Sequence, residues 1–108
     1  ASGSTSISGF NASMVNSTAT SYTLSASDNG KVISIDNTGS VSFIIPSGLQ
    51  NGFNCLVVQK GVGQVSFSAG SGVYIQNRQG FDKTAGQYAI ATLINIGGDV
   101  YVISGDLN

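Results

Sequence analysis

The sequence predicts an all-β chain, a single β-sandwich or jelly-roll-like domain of about eight short antiparallel strands behind an extended N-terminal arm. Two observations predict it. From Thr20 onward, β-branched and aromatic runs recur at a spacing of about 8 to 12 residues, separated by Gly, Asn and Asp. No stretch sustains a 3.6-residue period, and Glu, a favoured helix former, is absent.

Residues 1–19 are rich in Ser, Gly, Thr and Asn, with large apolar residues only at Ile7, Phe10, Met14 and Val15, and they read as a linker arm to the domain at 20–108. Phe10, Met14 and Val15 could pack on a neighbouring subunit. Asn11-Ala12-Ser13 and Asn16-Ser17-Thr18 fit the glycosylation acceptor pattern, which arises readily by chance in so biased a stretch. The chain begins at Ala1, as a fragment cut from a longer protein would, and lacks the basic start and apolar run of a signal peptide.

The first strand is expected around Tyr22 and Leu24, where apolar and small polar residues alternate, with Asp28-Asn29-Gly30 as the turn after it. Lys31–Asp36 and Val41–Ile45 come next, joined through Asn37-Thr38-Gly39. Pro46 ends the second of these, because proline cannot donate to a ladder. Cys55–Gln59 has no alternation and reads as a central strand buried on both faces. Gln64–Ser68 and Val73–Ile75 lie beyond it, then a polar excursion from Gln76 to Gly86. Tyr88–Ile94 and Val100–Ile103 flank Gly97-Gly98, a hairpin signal. Gly39, Val41, Ser42, Phe43, Ser47 and Gly48 recur at one constant offset as Gly63, Val65, Ser66, Phe67, Ser71 and Gly72. One pair of similar units falls short of the three or so that a stacked architecture needs, so the echo reads as two strands converging on one pattern.

Composition excludes most chemistry. With no His and with Cys55 as the lone thiol, one copy forms no disulfide and assembles no zinc, copper or iron site, nor a His-dependent nucleophile. Four basic residues against five Asp give a net charge of -1, with no basic stripe for a phosphate backbone. No apolar run is long enough to insert in a membrane. Asp28, Asp36 and Asp99 sit at turns, which leaves Asp82 and Asp106 as the less explained carboxylates for a hydrolytic pair. Asp28-Asn29 and Asp36-Asn37-Thr38 offer calcium-type oxygens without a bidentate Glu. The reading is of a non-enzyme with no catalytic residues, metal or cofactor, and with Cys55 as a small buried hydrophobe.

Tyr22, Phe43, Phe67, Tyr88 and Tyr101 occupy strand positions that look inward, while Phe53, Tyr74 and Phe81 do not. Phe81 lies within Gln76-Asn77-Arg78-Gln79-Gly80-Phe81-Asp82-Lys83, where amide, guanidinium and carboxylate groups flank an aromatic. Gln76, Asn77, Arg78, Gln79, Phe81, Asp82 and Lys83 are therefore the candidate recognition loop, with subunit contact favoured over ligand binding because Arg and aromatics are enriched at interfaces.

Tyr22-Thr23-Leu24, Asp28 to Ile33, Val41 to Pro46, Gly61 to Val73, Lys83 to Ile94 and the closing Ser104-Gly105-Asp106-Leu107, taken in order, resemble a module of tailed-bacteriophage virion proteins, at the ends of head fibres, tail fibres and related appendages. That family often carries Trp in its last strand, where Tyr101 stands here. The resemblance implies a virion-surface structural module, homo-oligomeric with a trimer favoured, that attaches to host-surface glycans or to other virion proteins. The alternatives are a carbohydrate-binding module of a larger secreted protein, with the Gln76–Lys83 loop as its site, and a small Asp-dependent hydrolase.

Overall fold

A computed structural model describes residues 13–108. Ile7, Phe10 and the Asn11 acceptor pattern lie outside the described residues. Nine strands are described: β1 (Met14–Ser17), β2 (Ser21–Thr23), β3 (Val32–Ile35), β4 (Val41–Ile45), β5 (Asn54–Gln59), β6 (Val65–Ala69), β7 (Tyr74–Gln76), β8 (Ile90–Asn95) and β9 (Val100–Gly105), with a short 3-10 turn at Ala26–Asp28. One sheet has the order β1-β3-β5-β8-β9-β7, and a second has the order β2-β4-β6.

The sandwich expectation is overturned, because the chain is a β-solenoid of about three turns. Strands β1, β3 and β5 pair parallel in one sheet, and β2, β4 and β6 pair parallel in the other. Each turn thus contributes one strand to each sheet. Asn37-Thr38-Gly39 is not a hairpin turn but a corner that carries the chain from the first sheet to the second. The Asn37 side chain accepts from the Gly39 amide at 2.8 Å and donates to the Thr18 carbonyl of the preceding corner at 2.7 Å. The Gly63 amide donates to the Asn37 carbonyl at 2.8 Å. One residue therefore ties three successive corners, and the strand beyond each corner pairs with the turn below it instead of folding back.

The sequence echo is the rung of this solenoid. Val32 faces Leu56, Val41 faces Val65 and Phe43 faces Phe67, every pair separated by the same length of chain. The first rung is shorter, with Met14 against Val32 and Ser21 against Ser42. Met14–Ser17, expected in the arm, thus form the first strand. No local apolar pattern announces them, since stacking on β3 is what holds them.

Corner stacking explains two glycines. A Cβ on Gly61 would stand 2.6 Å from the Asn37 backbone nitrogen, and one on Gly63 would run into the Gly39 carbonyl. Only residues without side chains let these backbones approach so closely.

Between the sheets lies one core, with Ile33, Ile35, Val57, Leu93, Tyr101 and Ile103 from the first sheet and Val41, Phe43, Ile45, Val65 and Phe67 from the second. Tyr22, Phe43 and Phe67 form a column, one ring per turn, with centroids 5.3 and 5.4 Å apart. Aromatic neighbours at this separation contribute beyond their burial, by about 0.5 to 1.5 kcal/mol per pair. Phe53, expected to look outward, is fully buried, while Tyr88, expected inward, is 70% exposed at φ 69°.

The third turn is closed by the end of the chain. The β8–β9 hairpin is antiparallel as expected, through a primed turn with Gly98 and Asp99 at φ 64° and 59°. β8 pairs antiparallel with β5, and β7 joins β9 in parallel, so the hairpin occupies the place beside β5 that a fourth parallel strand would take. On the second sheet, Asp82 to Thr84 lie along β6, with the Phe67 amide donating to Asp82 and the Thr84 amide to Val65. Beneath them Gln59, the third-turn counterpart of Ile35, accepts from the buried Thr84 hydroxyl. A polar pair here satisfies groups that a further apolar rung would otherwise cover.

Substituting Gly63→Ala is expected to lower the unfolding free energy by about 2 kcal/mol or more, since the neighbouring backbone must move. Gly86 has open space around it, so Gly86→Ala should change stability by less than about 0.5 kcal/mol. Urea denaturation followed by circular dichroism checks both.

Candidate functional site

A cleft of about 290 Å³ opens where β6, β7 and the 77–82 loop meet, lined by Phe67, Ala69, Ile75, Gln76, Asn77, Gly80, Phe81 and Asp82. Its loop is built around Asn77. The Gly80 amide closes a turn on the Asn77 carbonyl at 3.0 Å, and Gly80 adopts φ 79°, a conformation that favours glycine. The Asn77 carboxamide oxygen accepts from the Gln79 and Phe81 amides at 2.9 and 3.1 Å, and its nitrogen donates to the Ile103 carbonyl on β9 at 2.8 Å. Asn77 therefore shapes the loop and has little left to offer a ligand.

Of the candidate recognition residues, Gln76, Asn77, Phe81 and Asp82 come together at the cleft. Arg78 and Gln79 stand at the tip of the turn, and Lys83 bridges to Ser66 on the outer side of the second sheet. Phe67, Ala69, Ile75 and Gly80 complete the lining and were not among the candidates. Phe67 could have been found from the sequence echo, because it is the last ring of the aromatic column.

The chemistry offered is an apolar floor with a few polar groups at its rim. The half-buried Phe81 supplies ring surface while Phe67 beneath is almost wholly buried, and among the described residues the Gln76 carboxamide and the Asp82 carboxylate have no side-chain hydrogen-bond partner. Asp82 is the one carboxylate in the lining, and Asp106, weighed with it as the less explained pair for the hydrolase alternative, does not line the cleft. Two carboxylates of the turns are engaged, Asp28 locally and Asp99 across the fold. Asp28 accepts from the Tyr22 hydroxyl at 2.7 Å and the Ser25 amide at 3.1 Å, and Asp99 accepts from the Gly48 amide at 3.2 Å.

Titration is perturbed inside the solenoid. Burial, reinforced by the hydrogen bond to Asp28, pushes the Tyr22 hydroxyl above the ordinary tyrosine range. Burial, with a smaller contribution from the Asp28 charge, pushes the Cys55 thiol from 9.0 up to about 12. A thiol so raised is a poor nucleophile, which agrees with Cys55 as a buried hydrophobe. In comparison with known proteins, no family model matches the chain and no curated protein matches it significantly.

Asn77→Ala should cost about 1 to 3 kcal/mol by orphaning loop amides, whereas Gln79→Ala at the exposed tip should be near neutral; thermal unfolding separates them. For Cys55 the folded state binds the proton more tightly than the unfolded state. Its contribution is complete below pH 9 and declines as the pH rises toward 12. Unfolding midpoints measured from pH 7 to 10.5 should therefore fall more for the native chain than for Cys55→Val.

Proposed function

We propose that the chain is an oligomeric structural module of a tailed-phage virion appendage, displayed at the virion surface, whose cleft beside Phe81 contacts neutral glycans of the host. The observation that carries this reading is the make-up of the cleft. The half-buried Phe81 ring suits the apolar face of a sugar, and the Gln76 carboxamide and Asp82 carboxylate suit its hydroxyls. A rigid solenoid with few charges supports it, since the site is held by stacked strands and a cross-braced Asn77. The sequence resemblance to head-fibre and tail-fibre modules supplies the virion setting. The same cleft favours a second reading, a carbohydrate-binding module of a larger secreted protein, which a monomeric state in solution would support.

Binding of the labelled chain to a panel of bacterial surface polysaccharides is the test. Binding to at least one neutral polysaccharide is expected. Phe81→Ala should weaken it roughly tenfold or more, as expected for loss of an aromatic anchor, and Gln79→Ala should leave it unchanged. No binding across the panel, or binding indifferent to Phe81→Ala, would overturn the glycan assignment.

A further inference from the structure

The two sheets present unlike outer faces. On the second sheet the outward rows are Ser21, Ser42, Ser66 and Lys83, then Thr23, Ile44 and Ser68. That face is hydroxylic and suits water. On the first sheet ten of the sixteen outward positions are apolar. Tyr74, Val100 and Ile96 form one, and Gln76, Val102, Ile94 and Asn54 the next. Ser104, Thr92, Leu56, Val32 and Met14 then precede Ile90, Val58, Ser34 and Asn16. None of these outward positions carries a charge.

Five of the large hydrophobic residues exposed among those described lie here: Met14 at 59%, Tyr74 at 62%, Ile90 at 50%, Ile94 at 42% and Ile96 at 63%. Together with the half-buried Val32, Leu56, Val58, Val100 and Val102, their exposed apolar area is on the order of several hundred Å². That reaches the largest patches of ordinary monomers and approaches the ~800 Å² that each partner gives a stable complex.

We infer that this outer face of the six-stranded sheet is the surface through which copies of the chain associate. A second copy is the occupant the face suits. An uncharged surface meets its own copy without like-charge repulsion, and two sheets can pack face to face at about 10 Å with interdigitating side chains. Strand β5 carries the same message in its own residues. Cys55 and Val57 are buried in the core while Leu56 and Val58, equally apolar, point out of it. The inference rests on the oligomeric half of the proposed function and shares only Gln76 with the cleft.

Light scattering coupled to gel filtration, on the full chain at about 50 µM, tests it. The native chain should show an integer multiple of 11.0 kDa. Ile94→Asp, and Ile96→Lys at the more exposed margin, should each raise the dissociation constant roughly 100-fold or more, as burying an unpaired charge does. Their far-ultraviolet circular dichroism should be unchanged, and Ser42→Asp on the hydroxylic face should leave the mass intact. An oligomer whose mass ignores both face substitutions overturns this face and leaves the oligomeric reading standing. A native chain of 11.0 kDa overturns both.

Discussion

The corner at Asn37 to Gly39 lies directly against the corner at Gly61 to Gly63, backbone on backbone, and the remaining architecture depends on that approach. With side chains at Gly61 or Gly63 the third turn would settle on the second only if the neighbouring backbone moved. Once it does, the distance from corner to corner along the chain fixes the length of the rung, and both sheets inherit parallel pairing in one register. Parallel pairing in turn places like residues above like, which turns three separate aromatic residues into the Tyr22, Phe43 and Phe67 column. In such a stack each turn is stabilised chiefly by its neighbours, so a fault at one corner is felt by the turns on either side.

A stack also has an end, and the end is where the chain departs from repetition. The β8–β9 hairpin enters beside β5, and Gln59 and Thr84 replace an apolar rung with a polar pair. β7 and the loop after it then form the cleft beside Phe67, the last ring of the column. Closing the solenoid and forming the cleft are thus one structural event. The strength of the site lies in its footing on β6, β7 and β9 more than in the loop itself.

Much of this was legible in the residues, but at one level only. The apolar runs at Val32–Ile35, Val41–Ile45, Cys55–Gln59 and Val65–Phe67 announce strands, because β-branched and aromatic residues between glycine-rich turns have few other uses. Gly97-Gly98 announces its hairpin for the same local reason. Topology is not local. Asn37-Thr38-Gly39 has the composition of a hairpin turn, and only the contacts with Thr18 and Gly63 make it a corner. The repeat that would have disclosed the stack occurs at full length once, because the first rung, Met14 to Val32 and Ser21 to Ser42, is cut short. At the candidate site, Phe81 and its polar neighbours were visible as an aromatic within a polar loop. The bracing role of Asn77 was not, since it depends on a strand distant in sequence, and Phe67 was visible only as a member of the sequence echo. The outer face of the first sheet was hinted at by the unalternating Cys55–Gln59 run, whose second apolar side faces outward where a core was expected.

The parallel stacking of turns is the central claim, and nuclear Overhauser contacts between backbone protons test it most directly. Stacked turns predict contacts linking Val41 to Val65 and Phe43 to Phe67 in the slanted pattern of parallel strands. A sandwich built on hairpins would instead show β3 and β4 paired antiparallel across Asn37 to Gly39, with no contacts between equivalent residues of successive turns, and that result would contradict the solenoid.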